Sequence, residues 1–160
     1  MTAGGSSLPE VQRLLSVLAA GRRAAEVGTA FGEGAAAIAA TAASLVTVEL
    51  DPERAAAAWL RLGGFANVEL LVGDWRELLP PRAPFELLFF DGGGWKRDPA
   101  TLAPPAVELL GPGGLLVCDD FTAGWRGPDP ARDFLFGHAE LVAAEVLVAP
   151  PAAVIVAARR

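Results

Sequence analysis

The stretch AAEVGTAFGEG, Ala24 to Gly34, decides the reading of this chain. A short apolar run carrying one acid, Glu26, ends at Val27, and three glycines follow at Gly28, Gly32 and Gly34. Glycine admits positive φ and carries no Cβ, so a ligand can lie against the backbone of such a turn. The spacing is GxxxGxG rather than GxGxxG, so the dinucleotide fingerprint is not met. A phosphate-cradling loop needs Gly-Lys-Ser/Thr at this place, and the only lysine of the chain is Lys96.

Working outward, strand-like and helix-like segments alternate. RAAEV reads as a strand ending at Val27, and EGAAAIAATAA after it as an Ala-rich helix. Before it, Leu8 to Ala20 has helical spacing, with Ser7 as the N-cap. LVTVEL is a strand. DPERAAAAWLRLGG is a helix with Asp51 at the cap, Pro52 at its first position and Gly63-Gly64 at its end. NVELLV, FELLFF and GGLLVC read as strands, WRELLP as one helical turn, and DPARDFLFG as a helix. PATLAPPAVELL reads as a helix started or broken at Pro104-Pro105. ELVAAEVLV and AAVIVAA form a final hairpin across Pro150-Pro151. Near-continuous apolar strands alternating with helices predict a parallel sheet covered on both faces. The expectation is a Rossmann-like, doubly wound α/β fold of seven strands, mostly parallel with an antiparallel C-terminal hairpin strand. It forms one domain over residues 1–160. In such sheets ligands bind beyond the carboxyl ends of the strands. The two longest irregular stretches, Gly92 to Pro99 and Phe121 to Pro130, both lie there.

Bulk properties narrow the class. The 160 residues can bury a proper core, and no apolar run reaches the length of a membrane helix. The start, MTAGGSSLPE, lacks a basic region leading into an apolar stretch, so no secretory leader and a cytoplasmic setting are expected. A single cysteine, Cys118, excludes an internal disulfide and a multi-cysteine zinc site, and reads as a small apolar residue of a buried strand. A net charge of −6 argues against nucleic acid as a partner. Trp59 reads as core, and the lone His138 as structural or exposed.

Carboxylates recur at successive strand ends. Glu49 ends the second strand, where it can accept from both ribose hydroxyls of a nucleoside. Asp74 follows the third strand in GDW, placed to accept from an adenine amino group, with Trp75 offering an aromatic face. Asp91 ends the fourth strand, and Asp119 and Asp120 end the fifth. Three oxygen ligands on neighbouring strand ends suit Mg²⁺ or another hard divalent cation. Without a cation they repel, and one should hold a proton.

EVGTAFGEG, VELDPERA, VGDWRELL, FFDGGGWK and LLGPGGLLVCDD together resemble the class I S-adenosylmethionine-dependent methyltransferases. The similarity extends over about Leu8 to Arg160 and is greatest to the cation-dependent catechol and caffeoyl-CoA O-methyltransferases. Short-chain dehydrogenases also use GxxxGxG, but they need a Tyr-x-x-x-Lys pair, and this chain has no tyrosine. The resemblance implies that the turn holds the methionine part of S-adenosylmethionine, Glu49 its ribose and Asp74-Trp75 its adenine. The candidate cofactor set is Glu26, Gly28, Ala30, Gly32, Gly34, Glu49, Leu50, Asp74, Trp75 and Asp91. The candidate metal set is Asp91, Asp119 and Asp120, and the candidate catalytic residues are Lys96 and Asp91.

The chain departs from that family in four places. The family's Asp-Asn pair is Asp119-Asp120 here, which keeps an oxygen ligand and adds a charge. The family's general-base lysine falls on Gly94, with Lys96 two residues later. A serine late in the glycine turn is Gly34, and the chain is short at the N-terminus, where helices that cover the acceptor in the family are expected to be missing. The implied activity is methyl transfer to a small acceptor, foremost a hydroxyl, with Trp95 and Trp125 available to wall an aromatic one. Transfer without metal to a nitrogen or a macromolecule, and cofactor binding without turnover, stand as alternatives. Neither membrane nor nucleic acid is an expected partner, and a homodimer is left open.

Overall fold

The computed structural model describes residues 7–160, so residues 1–6, most of the stretch read for a leader, lie outside the described residues. In chain order the elements are α1 (Pro9–Ala19), β1 (Arg23–Val27), α2 (Glu33–Ala39), β2 (Ser44–Glu49), α3 (Pro52–Leu62), β3 (Val68–Val72) and α4 (Trp75–Leu78). There follow β4 (Phe85–Phe90), α5 (Pro99–Glu108), β5 (Leu110–Thr122), α6 (Pro130–Gly137), β6 (Leu141–Ala149) and β7 (Ala152–Arg159). Short 3-10 turns lie at Pro80–Arg82 and Trp95–Arg97.

One seven-stranded sheet runs in the order β3-β2-β1-β4-β5-β7-β6. The pairs from β3 to β5 are parallel, and β7 is antiparallel to both β5 and β6. The chain winds outward from β1 to β3, then returns to β4 on the other side of β1. That reversal opens a crevice between the carboxyl ends of β1 and β4, the usual place for a ligand in such sheets.

Side-chain alternation splits the core between the two sheet faces. Val11, Leu15, Ile38, Ala58 and Leu62 from α1 to α3 pack with Leu45, Leu87 and Phe89 on one face. Trp75, Leu79, Ala103, Val107 and Leu135 from α4 to α6 pack with Leu88, Phe90 and Ile155 on the other. No helix among the described residues is long and apolar enough to cross a membrane.

Several local expectations need correction. Ser7 does not cap α1: the N-cap is Leu8, with no side-chain cap bond. Asp51 does cap α3, accepting from the N–H groups of Glu53 and Arg54. α2 stops at Ala39 rather than running through Ala43. α5 continues through Pro104 and Pro105. The two missing N–H donors weaken its ladder, yet Ala103, Ala106 and Val107 are buried and anchor it to the sheet. Trp59 is 49% exposed, not core. The small residues Ala55 and Ala58 face the sheet instead, so α3 lies close and the indole is turned outward. Cys118 is buried, as its apolar strand required.

Candidate active site

The crevice is built by two turns in backbone contact. Gly28 leaves β1 with φ +93°, and a Cβ placed there would lie 2.8 Å from the Gly92 Cα. The two strand ends therefore meet only because both residues are glycine. Next to Gly92, Gly93 (φ +75°) lies against Trp75, where a Cβ would come within 3.0 Å of Nε1.

Beside this contact opens a cavity of about 290 Å³. Gly28, Glu49, Leu50, Asp74 and Trp75 line it, together with Val27, Val48, Gly73, Arg76, Gly93 and Leu102. Glu49 is almost fully buried. Its Oε2 accepts the N–H of Ala30 at 2.8 Å and its Oε1 the N–H of Asp51 at 3.0 Å. Each oxygen keeps a second lone-pair direction, so the carboxylate is fixed in place with acceptor capacity left over. Ala30 contributes that amide from a left-handed conformation, φ +49°. Asp74 caps α4 through the N–H of Arg76 and pairs with the Arg76 guanidinium at 2.5 Å. That hydrogen bond holds its carboxyl below the usual range.

Glu26 sits beneath the turn and outside the cavity lining. It accepts the Thr47 hydroxyl at 2.5 Å, and Thr47 shares a hydrogen bond with Thr29 at 2.5 Å. Burial raises its pKa from 4.5 to about 8, against the lowering bond from Thr47, and nearby Asp91, Glu49 and Glu33 add to the rise. Gly34 has its role here: a Cβ on it would stand 2.7 Å from Glu26 Oε1. Gly32, the left-handed N-cap of α2, packs against Ala58 and Leu62 of α3. These two glycines let helices and a buried acid approach the sheet, and neither touches the cavity.

A second cleft, of about 310 Å³, lies past Gly92 and is lined by Asp91, Gly94, Trp95, Lys96, Arg97 and Asp120. Burial, followed by the charges of Asp120 and Asp119, raises the Asp91 pKa from 3.8 to about 7. Asp119 is buried and raised for the same first reason. Its Oδ1 accepts the N–H of Asp120 at 2.7 Å, and Asp120 is left-handed at φ +61°. Both residues fall in an irregularity of β5, where the pairing with β7 shifts between Cys118 and Phe121.

These placements bear on the expected chemistry. Among the described residues no three His, Cys, Asp or Glu side chains are grouped to hold a metal ion. Asp120 is left-handed within the bulge, and one Asp119 oxygen is taken by its amide. The residues as arranged do not fit the hard divalent ion expected at Asp91, Asp119 and Asp120. Lys96 Nζ donates to the carbonyl oxygens of Asp119 and of Asp120, the latter at 3.2 Å. The amine is thus engaged with the β5 backbone in this arrangement. Trp95 is 2% exposed, stacks on Phe90 and donates its Nε1–H to the Phe90 carbonyl at 3.1 Å. It is packed into the core and still lines the second cleft, whereas Trp125 is 56% exposed beside Asp120 and Phe121. Gly92, Gly93 and Leu102 were absent from the sequence-based set. The run Gly92–Gly94 was the available signal for the first two, and Leu102 reaches the cavity only through the packing of α5.

A family profile described as a methyltransferase domain matches residues 25–121. The chain belongs to the methyltransferase domain family. This methyltransferase domain is similar to the protein-L-isoaspartate O-methyltransferase of Methanoculleus marisnigri, 34% identical over 97 residues, which are 59% of this chain and 42% of that protein. The corresponding protein of Anaeromyxobacter dehalogenans is 38% identical over 104 residues, 62% of this chain and 47% of that one. The matches thus span less than half the length of these relatives. Among solved structures, the O-methyltransferase TomG of Streptomyces achromogenes, crystallised with S-adenosylmethionine, superposes with a TM-score of 0.78 at 23% identity, covering 98% of this chain and 82% of that one. The Bacillus cereus O-methyltransferase, in complex with SAH, gives 0.75 at 19% identity, covering 98% and 84%. The fold of the methyltransferase domain is therefore the Rossmann-like class I fold, as the alternating pattern predicted.

Proposed function

We propose that this domain binds S-adenosylmethionine in the cavity beside Gly28 and Glu49, and transfers its methyl group to an oxygen of an acceptor in the cleft at Asp91. The observation that carries this reading is the Glu49 carboxylate, fixed by two backbone amides with lone pairs to spare. It suits a pair of ribose hydroxyls. Val27, Val48, Trp75 and Leu102 supply apolar walls for a purine, and Gly93 of this cavity follows directly on Gly92 of the second cleft.

When bound, the cofactor would supply an electrophilic methyl carbon for an acceptor oxygen to attack in line, the C–S bond breaking and the neutral thioether SAH leaving. The chain's part is positioning, worth several kcal/mol when the reacting groups are held in line. Asp91 lines the acceptor cleft, and a carboxyl titrating near 7 is matched to receiving the acceptor's proton at neutral pH. The cation-assisted route is not carried into this reading, since the three carboxylates do not fit the ion.

The acceptor class has two readings. The open cleft beside exposed Trp125 favours a small hydroxyl compound, foremost an aromatic one. The names of the curated relatives favour a carboxylate on a protein instead. Calorimetry with SAH, followed by assay of SAH release with a catechol panel and an isoaspartyl peptide, tests both. Absence of cofactor binding removes the proposal. Binding with no turnover on any acceptor moves the domain to a cofactor-binding module.

A further inference from the structure

Lys96 is unusual here on two counts. It is the only lysine among thirteen Lys and Arg residues, and it shares a cleft with Asp91 and Asp120. Its turn begins at Gly94, which is left-handed at φ +70°. From there the ammonium reaches the β5 bulge, donates to the carbonyl oxygens of Asp119 and Asp120, and lies 4.4 Å from the centre of the Phe121 ring. Those carbonyls belong to the stretch where the ladder to β7 is interrupted. The ammonium therefore supplies donors at the irregularity, to one part-buried and one exposed carbonyl. Two carbonyl oxygens and a π face form a compact cation site, and three carboxylates lie around it. A compact ammonium with three donors serves both carbonyls at once.

We propose that Lys96 is the resident cation of this site: its ammonium holds the Asp119–Asp120 bulge and offsets the acidic cluster, in place of the divalent ion that three carboxylates would otherwise call for. Lys96 is then a positioning residue, not the base, and methyl transfer proceeds without metal. The consequence for catalysis rests on the methyltransferase reading above, while the cation site itself does not. Removing the ammonium frees two carbonyl oxygens and leaves the charges of Asp91 and Asp119 without the cation that opposes them, so the variant should attract a hard divalent ion that the wild type does not.

The test uses metal-stripped protein and Mn²⁺ followed by electron paramagnetic resonance, with SAH affinity and circular dichroism as controls. The wild type is expected to leave Mn²⁺ free, and Lys96→Met to bind it at least about tenfold more tightly. Wild-type turnover is expected to survive chelator within about twofold, and the turnover lost in Lys96→Met to be partly restored by Mn²⁺. A merely structural lysine predicts no such gain of Mn²⁺ response. Tight Mn²⁺ binding by the wild type, or no gain in the variant, overturns the proposal. Should Lys96→Met not fold, Lys96→Gln takes its place, and the wild-type titration decides by itself. Failure to bind SAH would remove the methyltransferase reading and leave the Mn²⁺ result standing.

Discussion

Gly28 and Gly92 exclude each other's side chains: a Cβ on Gly92 would lie 2.7 Å from the Gly28 Cα, and one on Gly28 would lie 2.8 Å from the Gly92 Cα. This contact joins the ends of β1 and β4 at the point where the sheet reverses its winding. Gly92→Ala is expected to lose about 1–3 kcal/mol of stability, because backbone atoms cannot move aside as a flexible side chain can. Gly28→Ala adds strain at φ +93° and should be worse. Gly64→Ala, where nothing lies within 4 Å, is the neutral control. Urea denaturation measures all three, and equal midpoints for Gly92→Ala and Gly64→Ala would contradict the packing argument.

Glu49 links the cavity to the turn through the Ala30 amide. Glu49→Ala is expected to weaken SAH binding by about 1–3 kcal/mol, the worth of hydrogen bonds to a charged group. Glu49→Gln should fall between, since it keeps one acceptor oxygen and sets an NH₂ group against a backbone N–H. Calorimetry at constant pH reads the order wild type, Gln, Ala; any other order shows that Glu49 acts on the turn rather than on the cofactor.

Glu26 makes stability depend on pH. Its carboxyl titrates near 8 when folded and near its ordinary 4.5 when unfolded. Between those values the folded state keeps a proton that the unfolded chain has released. Stability therefore falls as pH rises through the window, and the full loss is in place above 8. Glu26→Gln keeps an acceptor for Thr47 and has no charge to bury. Urea midpoints should show the variant gaining on the wild type from pH 5 to pH 9, apart from the part of the slope that belongs to Asp91. A parallel decline in both proteins would mean that Glu26 is not the source.

Asp91 sets the pH dependence of turnover under the proposed function. Only its deprotonated form accepts a proton, so kcat/KM should climb with pH and level off above about 7. Asp91→Asn should lower turnover by about 10²- to 10⁴-fold and abolish that break. Rate profiles over pH 5 to 9 check this, and an unchanged break in the variant assigns it to another group.

Much of this was legible in the sequence because it is local. Alternation of apolar strands with helices, the Asp51-Pro52 helix start and the glycines after Val27 depend on backbone chemistry within a few residues, and the structure bears them out. Glu49, at the end of an apolar strand, could be placed at the sheet's carboxyl edge without knowing its partners.

What only the tertiary structure decided is how residues far apart meet. Trp59 reads as core and Trp95 as a loop residue in the sequence, yet α3 turns Trp59 outward while Phe90 and the chain around it enclose Trp95. Pro104 and Pro105 stay helical because burial of their neighbours outweighs two lost backbone bonds. Asp91, Asp119, Asp120 and Lys96 come from two strand ends and one loop. Their types and spacing allow either a metal site or an ammonium site. The β5 bulge and the reach of Lys96 to its carbonyls favour the proposed ammonium site, and neither a strand irregularity nor a side-chain direction is encoded in the spacing of acids along a chain.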